Sequence, residues 1–188
     1  MTRRCHWTGE DELMIRYHDE EWGIPVHDDL KLFEFFVLDA FQAGLSWKTV
    51  LHKREAFRVA FDGFDPQEVA KFTEKRVAAL MNNPGIIRNR LKIAGTITNA
   101  RLFLEIQKEF GSFDRYIWQF TGFKIIRNKH RIPDTIPVSS PQSDTMSMDL
   151  RKRGFKFVGT TICYAFMQAT GMVNDHLTGC FRYEQCGK

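Results

Sequence analysis

Asn82-Asn83-Pro84-Gly85-Ile86-Ile87-Arg88 separates two stretches of helical periodicity, and the fold class follows from this turn and its flanks. Downstream, Ile86, Ile87, Leu91, Ile93, Ala94, Ile97, Ala100, Leu102, Phe103 and Ile106 supply one apolar face at helical spacing. That predicts a long helix running to about Phe110, with Gly111 as its stop. Upstream, Thr73 can cap a shorter helix ending near Met81. Proline and glycine between them break the period, so the unit reads as helix, tight turn, helix.

The same punctuation extends outward in both directions. The stretch 28–43 reads as an apolar helix with Gly44 after it, and Ser46 can cap another from 47 to about 61, ending near Gly63. Asp65-Pro66-Gln67-Glu68 has the order of an N-cap, a first-turn proline and an acidic third residue, which opens a short helix ending before Thr73. Ser112 starts a further short helix, and helical signals resume from about 143 to 153 and from 159 to 170, stopped by Gly154 and Gly171. Between 124 and 143, Pro133, Pro137 and Pro141 with Lys124, Arg127, Lys129 and Arg131 read as a surface connection. No strand alternation and no repeat is visible. The predicted class is all-α, a bundle of about eight to ten short helices.

With 188 residues, 43% of them hydrophobic and 17 phenylalanines, the chain can bury a sizeable core as one domain or two closely packed helical lobes. Its apolar stretches are too short to span a bilayer, which argues against a membrane protein. A net charge of +4 permits a polyanionic partner without demanding one. The clusters Lys124 to Arg131, Arg151-Lys152-Arg153 with Lys156, and Arg88, Arg90 and Lys92 matter more by position, although each alone has the look of a solvated face. Cysteines at 5, 163, 180 and 186 form no regular framework, and the polar start through Asp11 resembles no secretory signal, so reduced thiols are expected.

Four groups of residues carry chemistry. Cys5 and His18 have twelve residues between them, and His176 and Cys180 have three. Two thiolates and two imidazoles make a full tetrahedral set for zinc, and four protein ligands would leave no position for substrate. Spacing alone leaves chance and an ordinary buried thiol at Cys5 as alternatives. The turn at 82–88 offers glycine for close backbone approach and exposed N–H groups for phosphate, the logic of a helix-hairpin-helix. An ordinary connection between antiparallel helices reads the same way. Phe33-Glu34-Phe35-Phe36-Val37-Leu38-Asp39-Ala40-Phe41 is apolar nearly all round, so Asp39 needs either a partner or a function. Tyr17, His18 and Trp22 before it and Gln42, Ser46 and Trp47 after it suit a pocket for a flat, electron-poor ring. The glycines and threonines between Lys152 and Thr161 match neither a P-loop nor a dinucleotide fingerprint, so no nucleotide cofactor is expected, and Cys163 reads as inert core.

Cys5-His6-Trp7, Tyr17-His18-Asp19 with Glu21-Trp22-Gly23, Phe41-Gln42-Ala43-Gly44-Leu45-Ser46-Trp47, Gly85-Ile86-Ile87-Arg88, and the stretch from Arg153 to Tyr164 and on to Asn174-Asp175-His176 closely resemble the bacterial 3-methyladenine DNA glycosylase I family, collinearly from Cys5 to Cys180. The resemblance implies a single DNA glycosylase domain over 1–188 of the helix-hairpin-helix superfamily, with a structural zinc on Cys5, His18, His176 and Cys180 joining the terminal segments. It implies base-excision repair: hydrolysis of the N-glycosidic bond of 3-methyladenine in alkylated double-stranded DNA, leaving an abasic site, in the bacterial cytoplasm and with no obligate protein partner. By position Asp39 matches the family's base-contacting carboxylate, Tyr17 its pocket tyrosine and Trp47 its stacking tryptophan, with Trp7 and Trp22 as further walls. Asp39 and Tyr17 are the expected selecting and electrostatic groups, and Gly85, Ile86 and Arg88 the DNA contacts. The family usually has glutamate where this chain has Asp39, a reach shorter by about 1.5 Å, which bears on lesion range more than on reaction class. A damaged-DNA binding module without catalysis is the alternative on the same fold.

Overall fold

The computed structural model describes residues 3–186, and seven of the ten α-helices described begin where a short polar side chain takes up a free N–H. Asp11 caps α1 (Glu12–Glu20), Asp28 caps α2 (Asp29–Gln42) and Ser46 caps α3 (Trp47–Leu51), followed by α4 (Arg54–Ala60). Asp65 caps α5 (Pro66–Val69), and α6 (Glu74–Met81) follows Thr73. Asn89 caps α7 (Arg90–Phe110), Ser112 caps α8 (Phe113–Trp118) and Ser140 caps α9 (Pro141–Lys152), before α10 (Thr160–Ala169). The all-α reading therefore holds, with ten α-helices among the described residues. No helix among these residues is long and apolar enough to cross a membrane.

Four local expectations change. The stretch 47–61 is two helices, because the Lys53 N–H bonds only three residues back, to the Val50 carbonyl, and breaks the four-residue ladder. The break sends Lys53 Nζ to the carbonyls of Pro84 and Gly85, at 3.1 and 3.3 Å. The long helix opens only at Arg90, since the Asn89 side chain rather than the proline turn supplies its cap. α9 begins two residues earlier than its periodicity indicates, through a capping box between Ser140 and Ser143 with Pro141 in the first turn. The connection after Lys124 contains β1 (Ile126–Arg127), paired in parallel with β2 (Val173–Asn174). Two-residue strands are too short to show alternation. α1 was not among the helices read from sequence; Asp11 caps it, and Met14, Tyr17 and His18 are its buried residues.

α2 lies at the centre, with ten consecutive residues from Leu32 to Phe41 buried. It packs against α10, α7, α3 and α8. Its first residue, Asp29, accepts from the backbone N–H groups of Phe113 and Asp114, so the start of α2 caps the start of α8. Its other end is closed by Lys92 of α7, whose buried ammonium donates to the carbonyls of Phe41 and Ala43 at 2.8 and 2.7 Å. A cation on the last carbonyls of a helix complements the dipole, and here it also holds still the helix that carries Asp39. Burial lowers the pKa of this lysine. Lys92 is thus withdrawn from the basic cluster in which the sequence placed it. Elsewhere in the core, Arg54 donates to Glu21 in a bidentate pair and to Glu34, all three at 2.7 to 2.8 Å. Charges this deep require such full pairing.

Candidate active site and metal centre

α1 serves two sites at once. Tyr17 and His18, neighbours in sequence, point about 100° apart around the helix. His18 enters a buried cluster with Cys5, His176 and Cys180, while Tyr17 lines an adjacent cavity.

In the cluster the four ligand atoms lie within 4.8 Å of one another. Cys180 Sγ is 3.4 Å from His18 Nε2 and 3.6 Å from His176 Nδ1, and Cys5 Sγ is 3.7 Å from His176 Nδ1. A tetrahedral ion with ordinary metal–sulfur and metal–nitrogen bonds would hold such atoms about 3.5 Å apart. The outer nitrogens are already engaged. His176 Nε2 lies 3.0 Å from the carbonyl of Trp22, to which it donates, leaving Nδ1 free for the cluster. His18 Nδ1 lies 2.7 Å from Asp19, which in turn takes a forked pair from Arg4. Fixing each ring by its second nitrogen is what a metal-ligating imidazole requires. Gly23 has φ of +79°, and a Cβ there would sit 2.9 Å from His176 Nε2, so the glycine of Glu21-Trp22-Gly23 makes room for a ligand ring. Donor chemistry and spacing both fit a metal ion. All four cysteines are unpaired and buried, and burial pushes the Cys163 thiol up to about 12, in keeping with inert core.

Beside it lies a cavity of about 270 Å³ lined by Trp7, Tyr17, Trp22, Asp39 and Trp47, the five pocket residues expected from sequence, together with Met14, Gln42, Ile136, Ala165, Gln168 and Ala169. The aromatic walls interlock: Trp7 meets Trp22 edge-on at 5.1 Å, and Tyr17 lies 5.0 Å from Trp47. Trp22 also packs against His176 at 4.5 Å, so cluster and cavity share a wall. Asp39 is buried, and its Oδ2 has no hydrogen-bond partner among the described residues. Trp47 Nε1 is equally buried and equally unpartnered. Burial alone pushes the Asp39 carboxyl well above the usual carboxylate range, and burial followed by Asp39 itself raises Tyr17. An acceptor and a donor left unsatisfied in one apolar cavity each cost free energy, and a ligand offering the matching atoms would recover it.

The turn at 82–89 is a separate, exterior feature. Gly85 N–H donates to Asn83 Oδ1 at 2.8 Å, and a Cβ on Gly85 would come within 3.0 Å of Ala56 Cβ, which accounts for the glycine by packing. Ile86 is buried as an anchor in the core. The backbone N–H groups of Ile87 and Arg88 have no acceptor among the described residues. The Arg88 side chain is exposed, whereas Arg90 pairs with Glu74. Further along, Arg127 is tied to Glu184 and to the Tyr183 ring, and Arg153 to Glu109 and Asp149. Sequence reasoning missed Gln168, Lys92 and Arg54 at this site. Neither charge stands out in sequence: Arg54 lies in the charged run Lys53-Arg54-Glu55, and Lys92 follows Arg88 and Arg90.

A family model of methyladenine glycosylases matches residues 7–183. The chain is 49% identical over 180 residues to DNA-3-methyladenine glycosylase 1 of Escherichia coli (strain K12), covering 96% of each. It is 47% identical over 182 residues to DNA-3-methyladenine glycosylase of Haemophilus influenzae, covering 96% of this chain and 97% of the relative. Among solved structures, a 3-methyladenine DNA glycosylase I superposes with a TM-score of 0.93 at 51% identity, covering 95% of this chain and 98% of the other. A structure of the Staphylococcus aureus enzyme, described as the basis of 3-methyladenine recognition, superposes with a TM-score of 0.92 at 32% identity, covering 95% of each. Matched along nearly its whole length, the chain belongs to the methyladenine glycosylase family.

Proposed function

We propose that this protein is a DNA-3-methyladenine glycosylase, a single domain over 1–188 that hydrolyses the N-glycosidic bond of 3-methyladenine in alkylated double-stranded DNA. The observation that carries the reading is the pair of orphaned polar atoms, Asp39 Oδ2 and Trp47 Nε1, buried in an aromatic cavity sized for a single base. N3-methylation makes the base cationic, which weakens the bond to C1′ before the protein acts. The enzyme extrudes the nucleotide and inserts the ring between Trp47 and the walls formed by Trp7, Tyr17 and Trp22, where cation and π-face attract. Asp39 accepts from the base's donor edge, and its carboxylate form is stabilised by the cation it receives. As the C1′–N9 bond breaks, its electron pair neutralises the base, water bonds to C1′, and the water's proton is released to solvent. The leaving group is activated by its own charge, so selection and electrostatic support by Asp39 and Tyr17 are the protein's part.

Zinc is the ion proposed for Cys5, His18, His176 and Cys180, whose two thiolates and two imidazoles are its preferred set. Bound there it supplies structural cross-linking, with no open position for a reacting water. The α6–turn–α7 unit is proposed as a helix-hairpin-helix in which the free N–H groups of Ile87 and Arg88 and the Arg88 side chain approach a phosphate, Gly85 allows the turn and Ile86 anchors it. The reading is tested by incubating the protein with methylated DNA and chromatographing the released bases. Free 3-methyladenine is the expected product; bound lesion DNA with no base released would leave a binding module instead.

A further inference from the structure

Gln168 sits near the end of α10, with Ala165 and Ala169 beside it on the cavity wall. Its Nε2 donates at 2.7 Å to Asp175 Oδ2, and its Oε1 has no partner among the described residues. The surroundings of Asp175 fix that orientation. The same Oδ2 accepts from the Tyr164 hydroxyl at 2.7 Å, and Oδ1 accepts from Asn128 Nδ2 at 2.7 Å. Tyr164 and Gln168 are one helical turn apart, and Asp175 follows directly on β2, whose pairing with β1 also positions Asn128. An aspartate so surrounded offers acceptors only, so the amide cannot turn over without placing its carbonyl oxygen against a carboxylate. The carbonyl is left for the cavity. Gln42, on the same wall, has no side-chain hydrogen bond among the described residues and can present either end of its amide.

We infer that Gln168, locked as an acceptor by Asp175, discriminates between adenine and guanine lesions. This rests on the glycosylase reading and adds to it which purine the pocket admits. Adenine carries an amino donor at C6, which suits a fixed acceptor, whereas guanine carries an oxygen there, and two acceptors facing each other in an apolar cavity repel. Asp175 is a positioning residue, since it acts only through the amide.

The test measures binding of free 3-methyladenine and free 3-methylguanine by tryptophan fluorescence titration, in wild type, Gln168→Met and Asp175→Asn. Methionine keeps the length of the side chain and removes its polarity. The expected result is preference for 3-methyladenine in the wild type, and a preference about tenfold smaller in Gln168→Met. In Asp175→Asn the asparagine can donate, so the Gln168 amide can turn and 3-methylguanine gains affinity. If Asp175→Asn does not fold, beside a proposed metal ligand, Gln168→Met decides alone. An unchanged ratio in Gln168→Met, with melting temperature and metal content preserved, overturns the inference. A wild type that binds and releases no 3-methyladenine would instead overturn the glycosylase reading.

Discussion

The Cys/His cluster and the aromatic cavity share Trp22 and are fed by adjacent residues of α1, yet their polar groups are treated in opposite ways. In the cluster nothing is left over: each imidazole has one nitrogen toward the sulfurs and the other on Trp22 or Asp19, and Asp19 is itself held by Arg4. Across the shared wall Asp39 Oδ2 and Trp47 Nε1 have no partner among the described residues. A buried polar group that is fully satisfied holds the fold, and one left unsatisfied is aimed at something that arrives later. The two regions should therefore respond to mutation in different observables.

The largest effect is expected on the satisfied side. Structural zinc sites contribute about 10–16 kcal/mol in small domains, comparable with the whole stability of a protein this size. Cys180→Ser should release the metal and lower the melting temperature by more than about 10 °C, read by metal analysis and calorimetry. Metal-free wild-type protein, or an unaltered melting temperature in the variant, would remove the fastener.

Arg54 comes next. Removing it takes the closest partner from buried Glu34 and half-buried Glu21, while Lys31 and Arg58 stay paired with them, so Arg54→Met should lose about 2–3 kcal/mol. The pH dependence has a definite sign. Burial works to raise the Glu21 pKa, but the hydrogen bonds and charge of Arg54 prevail and bring it down from 4.5 to about 2. The folded-state pKa is thus depressed. Its contribution is present above about pH 4.5 and is lost as pH falls toward 2. Acid titration of stability should show that loss in wild type and a flatter curve in Arg54→Met.

Asp39 should break the comparison in both directions at once. Its folded pKa is raised by burial, so folded protein favours the protonated form and stability is lost as pH rises above the ordinary carboxylate value of about 4. Asp39→Asn removes that loss. It should match wild type near pH 4 and melt higher near neutrality, while its affinity for free 3-methyladenine falls about 10- to 100-fold with a charge-assisted bond gone. Unchanged affinity by titration would take Asp39 out of the pocket.

How much of this was legible follows from the same contrast. Caps, stops and the apolar face of α7 are local, so the all-α class was readable from spacing. The half-sites at Cys5, His18, His176 and Cys180 were suggestive by residue type, but spacing left other uses open and the family resemblance joined them. Asp39 was legible as a charge in the wrong company. Gln168 was not: a glutamine near the end of an apolar helix carries no signal, and its meaning depends on Asp175, which β1 and β2 bring to it. Lys92 misled, because a lysine two residues from Arg90 reads as surface until the end of α2 is seen to require a donor. The strands were missed because their pairing is long-range and only two residues deep.

The smallest expected effect isolates the donor. Trp47→Phe keeps an aromatic face in the wall beside Tyr17 and removes only the unpartnered Nε1–H. Because that donor has no partner among the described residues, its loss should leave stability unchanged or raise it slightly. Affinity for 3-methyladenine should fall several-fold, about 1 kcal/mol or less, if the indole donates to a ring nitrogen. Trp47→Leu should lose more, since stacking of the purine ring on the indole goes as well. Equal losses in the two variants would mean that the face matters little and the N–H does the binding; no loss in Trp47→Phe would make the tryptophan a stacking surface alone. Either result leaves the unpaired carboxylate of Asp39 as the group on which the contrast between cluster and cavity turns.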